Sequence, residues 1–195
     1  MTDENQTRES ALPGIRARFN PLSLALGVII LDQLTKALVV TRIEIYTVGA
    51  EYLGGLIRII HTRNPAVAFS LGHGIPEPWR SIIVTTIPAL VLIGVLLYYW
   101  VGTDLTPSQR WMLAGVLGGG FGNLIDRFIR SRGVVDFIDV EFFGIFGLDR
   151  WPTFNVADAL ICVGVALMVV EMIKETIQER RGGGDKGEVE DEVSS

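Results

Sequence analysis

Six polar side chains crowd two short stretches of an otherwise apolar region: Asn123, Asp126, Arg127 and Asp136, then Asn155 and Asp158. Polar groups where an apolar run reaches a membrane surface are expensive to keep and mark function. Asp136 and Asp158 are the pair whose chemistry matters most. Two carboxylates brought close together cannot both ionise cheaply, so they share a proton. One then acts as base on a water while the other protonates a carbonyl and its leaving amine. Asparagine and arginine side chains beside them would hold a substrate backbone or a developing oxyanion. Other hydrolytic patterns are missing: neither His61 nor His73 lies in HExxH, and no GxSxG occurs. Both histidines read as surface or interfacial residues. The single cysteine, Cys162, permits no intrachain disulfide and no cysteine metal site. No metal and no cofactor are expected.

The elements that must position these groups are visible as blocks of hydrophobicity. Of 195 residues, 49% are hydrophobic and the mean hydropathy is +0.39, high for a soluble domain. A spanning helix needs about 20 apolar residues, and residues 21–40, 81–101, 111–125 and 156–173 approach or meet that. The expected fold is a membrane domain with an all-α core of four transmembrane helices and a small extracytoplasmic β-structure in the first long loop. Residues 1–19 read as a disordered arm, 20–175 as the membrane domain, and 176–195 as a disordered acidic tail. That tail accounts for much of the net charge of −5, so the total indicates no nucleic-acid partner. The first apolar run is too long for a signal-peptide core and carries Asp32 and Lys36, so no cleavable leader is expected.

Local patterns refine this. Asp32 and Lys36 stand at i and i+4 and share a helix face; they form either an intrahelical ion pair or a tie from the first helix to a polar site. Residues 43–48 and 56–60 are β-branched or alternating and predict short strands. Asn64 precedes Pro65 and sits at a bend. Glycines 115, 118, 119, 120 and 122 give the third helix a smooth packing face. Thr106-Pro-Ser-Gln109 reads as a capping box, and Asn155 with Asp158 as a helix start. Residues 129–153 read as a second loop carrying aromatic anchors. Four spans put both termini on one side and gather Asp32, Asn64, Asn123, Asp126, Arg127, Asp136, Asn155 and Asp158 at the opposite face. Lysine and arginine outside the spans divide evenly, so charge alone does not orient the chain. Discounting those inside the candidate site places the termini in the cytoplasm. Two other classes stay open on these grounds: a transporter or channel subunit conducting through its polar cluster, and a helix-packing scaffold for a partner.

Taken in order, five motifs resemble bacterial lipoprotein signal peptidase (signal peptidase II). They are Asp32-x-x-x-Lys36, Asn64-x-x-x-Ala68-Phe69, Gly119-Gly-x-Gly-Asn123-x-x-Asp126-Arg127, Val134-Val-Asp136-Phe137 and Phe154-Asn155-x-Ala157-Asp158. The resemblance spans about residues 20–175 and implies an intramembrane aspartyl endopeptidase with Asp136 and Asp158 as its catalytic dyad. By the same match Asn64, Asn123, Arg127 and Asn155 contact substrate or support the dyad, and Asp32, Lys36 and Asp126 are supporting residues. The implied substrate is a diacylglyceryl-modified prolipoprotein, cut just before the lipidated lipobox cysteine. The implied place is the bacterial cytoplasmic (inner) membrane, with the site at its outer face, cytoplasmic termini, membrane lipids as surroundings and a monomeric chain. The sequence departs from the family's usual Asn-x-Gly at Asn64-Pro65-Ala66, and the link from Asp126 to Asp136 is about one residue longer than expected.

Overall fold

The computed structural model describes residues 18–65, 76 and 78–193. The arm before residue 18, Ala66, Ala68, Phe69 and His73 lie outside the described residues. Among the described residues there are four helices: α1 (Leu22–Arg42), α2 (Trp79–Val101), α3 (Pro107–Ile129) and α4 (Val156–Val193). Between α1 and α2 lie β1 (Val48–Tyr52) and β2 (Ile57–Asn64); between α3 and α4 lie β3 (Val134–Ile145) and β4 (Leu148–Arg150).

Each helix start follows from its residues. Pro21 precedes α1, where its fixed φ suits a first turn. The capping box expected at Thr106 is formed: its Oγ1 accepts from the Gln109 amide at 3.2 Å, and Gln109 Oε1 accepts from the Thr106 amide at 3.0 Å. Asn155 and Asp158 make the same reciprocal pair at the start of α4. Among the described residues, three helical segments are long and apolar enough to cross a membrane: Leu22–Arg42, Trp79–Val101 and Val156–Gln178. The fourth expected span, α3, has the length of 23 residues but not the composition. Its polar residues Arg110, Asn123 and Asp126 are buried against protein, which removes the need for an apolar surface there. Beyond Gln178 the backbone stays helical to Val193, where composition predicts a disordered tail from residue 176. An existing helix needs no new nucleus to extend, and Glu, Lys, Arg and Gln are good helix formers.

Helix α3 lies at the centre, packed on α1, α2 and α4. Glycine is required where its backbone comes closest to the others. A Cβ on Gly119 would stand 2.5 Å from the Ala157 carbonyl oxygen of α4, and one on Gly122 2.6 Å from an oxygen of Asp32 on α1. Leu92, Tyr99, Leu113, Leu117 and Leu124 form the core between α2 and α3.

The strands form one antiparallel sheet in the order β1-β2-β3-β4. This differs from expectation in two ways. Residues 43–47 make a turn, with Tyr46 at φ 64°, and β1 begins only at Val48. The presumed second loop is largely β3, a strand of 12 residues paired along β2, with Thr62 opposite Asp136 and Asn64 opposite Val134. Val39, Val135 and Phe137, with Ile43, Ile59, Ile138 and Val156 around them, seat this sheet on the ends of α1 and α4.

Candidate active site

The sheet and three helices converge on the predicted residues. Asp136, near the start of β3, is 3% exposed. Asn155 Nδ2 donates to its Oδ1 at 2.7 Å and Asn64 Nδ2 to its Oδ2 at 3.1 Å. The register of β2 on β3 places Asn64 there, and Thr62 Oγ1 donates to the Asp136 carbonyl at 3.0 Å. Asp158, half-buried in the first turn of α4, accepts from Asn123 Nδ2 at 2.7 Å and from the Asn155 amide at 3.2 Å. The Asn155 side chain joins the two: its Oδ1 accepts from the Asp158 amide at 2.9 Å while its Nδ2 serves Asp136. Helix-start and site roles therefore coincide in Asn155 and Asp158.

The orientation of these amides is fixed by donors that cannot accept. Lysine only donates, so Lys36 Nζ, 2.8 Å away, identifies Oδ1 of Asn123 as the atom facing it. That oxygen also accepts from Asn155 Nδ2 at 3.1 Å, leaving the Asn123 amino group for Asp158. Electrostatics at the centre follow from burial. Asp136 is pushed up to about 7, first by loss of water and then by the charge of Asp158; the amides of Asn64 and Asn155, and Lys36, pull the other way. Arg127, half-buried at the end of α3, interacts with the charges of Asp158, Asp136 and Asp126.

Beneath this centre lies a second carboxylate pair. Asp32 and Asp126 are each 0% exposed and flank a fully buried Lys36, at 2.8 and 3.3 Å from its Nζ. Lys36 therefore serves both as the intrahelical partner of Asp32 and as a tie from α1 to Asp126. Arg130 pairs with the far side of Asp126 at 2.8 Å. All nine predicted site residues thus share one region. Gln33 and Thr62 were missed; Gln33 was detectable as a further polar residue within the first apolar run. His61 is a correction to the sequence reading. It is 4% exposed, its Nδ1–H donates to the Ile43 carbonyl at 2.8 Å, and its Nε2 accepts from Arg63 at 3.1 Å. Both ring nitrogens are thus satisfied in that interior. Among the described residues, no group of three His, Cys, Asp or Glu side chains is placed to hold a metal ion.

Helices able to cross a membrane, with a buried carboxylate pair where they meet a small sheet, define a membrane protein with a hydrolase-like centre. The family model for signal peptidase (SPase) II matches residues 24–174, and the chain belongs to that family of peptidases. Lipoprotein signal peptidase of Treponema denticola is 47% identical over 162 residues, covering 83% of this chain and 92% of that protein. The Treponema pallidum lipoprotein signal peptidase is 42% identical over 160 residues, covering 82% and 86%. A bacterial membrane enzyme solved by the in meso method at 2.3 Å is similar in fold, with TM-score 0.67 and 28% identity, over 80% of this chain and 88% of that one.

Proposed function

We propose that the chain is an intramembrane aspartic endopeptidase that removes the signal peptide from diacylglyceryl-modified prolipoproteins, cutting just before the lipidated cysteine. The observation that carries this reading is Asn155, whose single side chain hydrogen-bonds to Asp136 and to the backbone of Asp158. The substrate class is supported by the relatives, which are named for lipoprotein substrates.

In this reading the two carboxylates divide the work of hydrolysis. Asp136, protonated below about pH 7, donates its proton toward the scissile carbonyl oxygen. Asp158 takes a proton from the attacking water, whose oxygen bonds to the carbonyl carbon. The tetrahedral intermediate then collapses: the C–N bond breaks, and the proton held by Asp158 passes to the leaving amine of the cysteine. Asp136 regains its proton from the gem-diol, so the pair returns to its starting state. Arg127 lies within reach of both carboxylates' fields and can hold a substrate carbonyl.

In this reading α3 is the fourth span, both termini are cytoplasmic, and the site opens at the outer face of the cytoplasmic membrane. The enzyme works as a monomer, with its nine site residues in the roles the family resemblance implies. The arm before residue 20 and the region after residue 175 lie outside the peptidase domain. The test is in vitro processing of a diacylglyceryl-modified prolipoprotein by Asp136→Asn and Asp158→Asn. Both should insert and fold but leave the precursor uncut; normal cleavage by either overturns the dyad. Ion flux through proteoliposomes that depends on Asp136 or Asp158 would instead favour a transporter.

A further inference from the structure

The deeper carboxylates touch the dyad through the backbone in a matched way. Asp126 Oδ2 accepts from the Val135 amide at 3.0 Å, and Asp32 Oδ1 from the Ala157 amide at 3.1 Å. Val135 and Ala157 are the residues immediately before Asp136 and Asp158, and both are 0% exposed. Water cannot replace these bonds, so any movement of Asp32 or Asp126 passes to one member of the dyad.

Two donors cross-link the deeper pair. Lys36 bridges it with a single positive charge. Gln33 adds no charge, yet its Nε2 stands 3.2 Å from Asp32 Oδ2, 3.1 Å from Asp126 Oδ1 and 3.0 Å from the Gly122 carbonyl. An amide has two hydrogens, so three acceptors on two helices share them. Gly122 brings the α3 backbone directly against Asp32, which leaves little slack. We infer that Gln33 is a positioning residue: with Lys36 it cross-links Asp32 and Asp126 into a frame that sets the spacing of Asp136 and Asp158.

This rests on Asp136 and Asp158 being the reacting pair. A neutral cross-link can act on chemistry only through geometry, and spacing has its own readout. Asp136 faces Asp158 from α4, Lys36 from α1, Arg127 from α3 and the amides of Asn64 and Asn155. Gln33→Met leaves all of these charges in place. If the pair spreads, repulsion from Asp158 weakens and Asp136 loses its proton at lower pH.

The experiment measures kcat, KM and the alkaline limb of the pH–rate profile on a diacylglyceryl-modified lipopeptide, using the full chain in nanodiscs. Gln33→Met should lower kcat about tenfold, because small misplacements at a reacting centre are amplified. KM should stay within about twofold, and the alkaline limb should move to lower pH. Should Gln33→Met fail to fold, Gln33→Asn, one methylene shorter, is expected to show the same changes more weakly. Parental kcat, or a lowered kcat or melting temperature with an unmoved limb, overturns the frame. Asp136→Asn runs in parallel: if it cleaves, the dyad reading itself fails, whereas an inactive Asp136→Asn beside an unaltered Gln33 variant removes only the frame.

Discussion

The molecule holds two carboxylate pairs in adjoining layers, and they are solvated in opposite ways. Asp32 and Asp126 are compensated by cations: Lys36 between them and Arg130 on the outer side. Asp136 and Asp158 accept instead from neutral groups, the amides of Asn64, Asn123 and Asn155. Direct ion pairs hold the oxygens of the lower pair in place, which suits a structural element. Neutral donors orient the oxygens but leave the charge to be settled between the two acids. What separates the two pairs is therefore the kind of partner: cations for Asp32 and Asp126, neutral amides for Asp136 and Asp158. Asp158 is also half-buried, which leaves the upper pair an approach for water and substrate that the lower pair lacks.

That contrast can be broken from either side. The largest effect is expected at the upper pair, where Asp136→Asn or Asp158→Asn should reduce processing by at least about 10³-fold, read by precursor cleavage. Next, Lys36→Met would leave fully buried Asp32 without its cation and Asp126 with Arg130 alone. Removing one partner of a buried ion pair costs about 3–5 kcal/mol, so thermal unfolding in detergent should shift sharply downward, and Lys36→Met should be the least stable of the single variants. Asn155→Leu should lower kcat by about 10–100-fold by releasing both aspartates, beyond any change in melting temperature.

The smallest effect is a matter of sign. The folded-state value of Asp136 is raised from 3.8 to about 7. Its proton therefore favours the folded form at low pH, and that contribution is lost as pH rises toward about 7. Asp136→Asn removes a buried charge at alkaline pH only. The variant should melt above the parent at pH 8, with the gap closing at pH 5. An equal gap at both values would mean that Asp136 is already ionised throughout.

Much of this site was legible because polar residues stand out in apolar runs. Asp32, Lys36, Asn123 and Asp126 interrupt or end such runs, and the i, i+4 spacing of the first two fixed their shared face. Asn155 and Asp158 were legible twice, as candidate site residues and as a helix start, and the helix start is formed. Strand β3 was harder to read. Val134, Val135, Asp136 and Phe137 are all buried, because the segment is covered on both faces and loses the alternation that betrays a half-exposed strand. Its β-branched and aromatic composition was the remaining cue. Gln33 was passed over because a lone neutral amide beside Asp32 has no spacing rule; only the approach of α3 shows its three acceptors. His61 looked peripheral in sequence, since nothing local reveals that the turn at 43–47 folds over it and supplies the Ile43 carbonyl. Helix α3 was read as a span on its glycine-rich apolar run, whereas its central place lets it carry buried charge.

The most direct measurement is a site-resolved titration of Asp136 in the membrane-embedded enzyme, by infrared difference between the parent and Asp136→Asn. The account predicts a protonated carboxyl band that persists through pH 6 and disappears as pH passes about 7, in step with the loss of processing. A carboxylate already ionised at pH 5, in an enzyme that still cleaves, would contradict it.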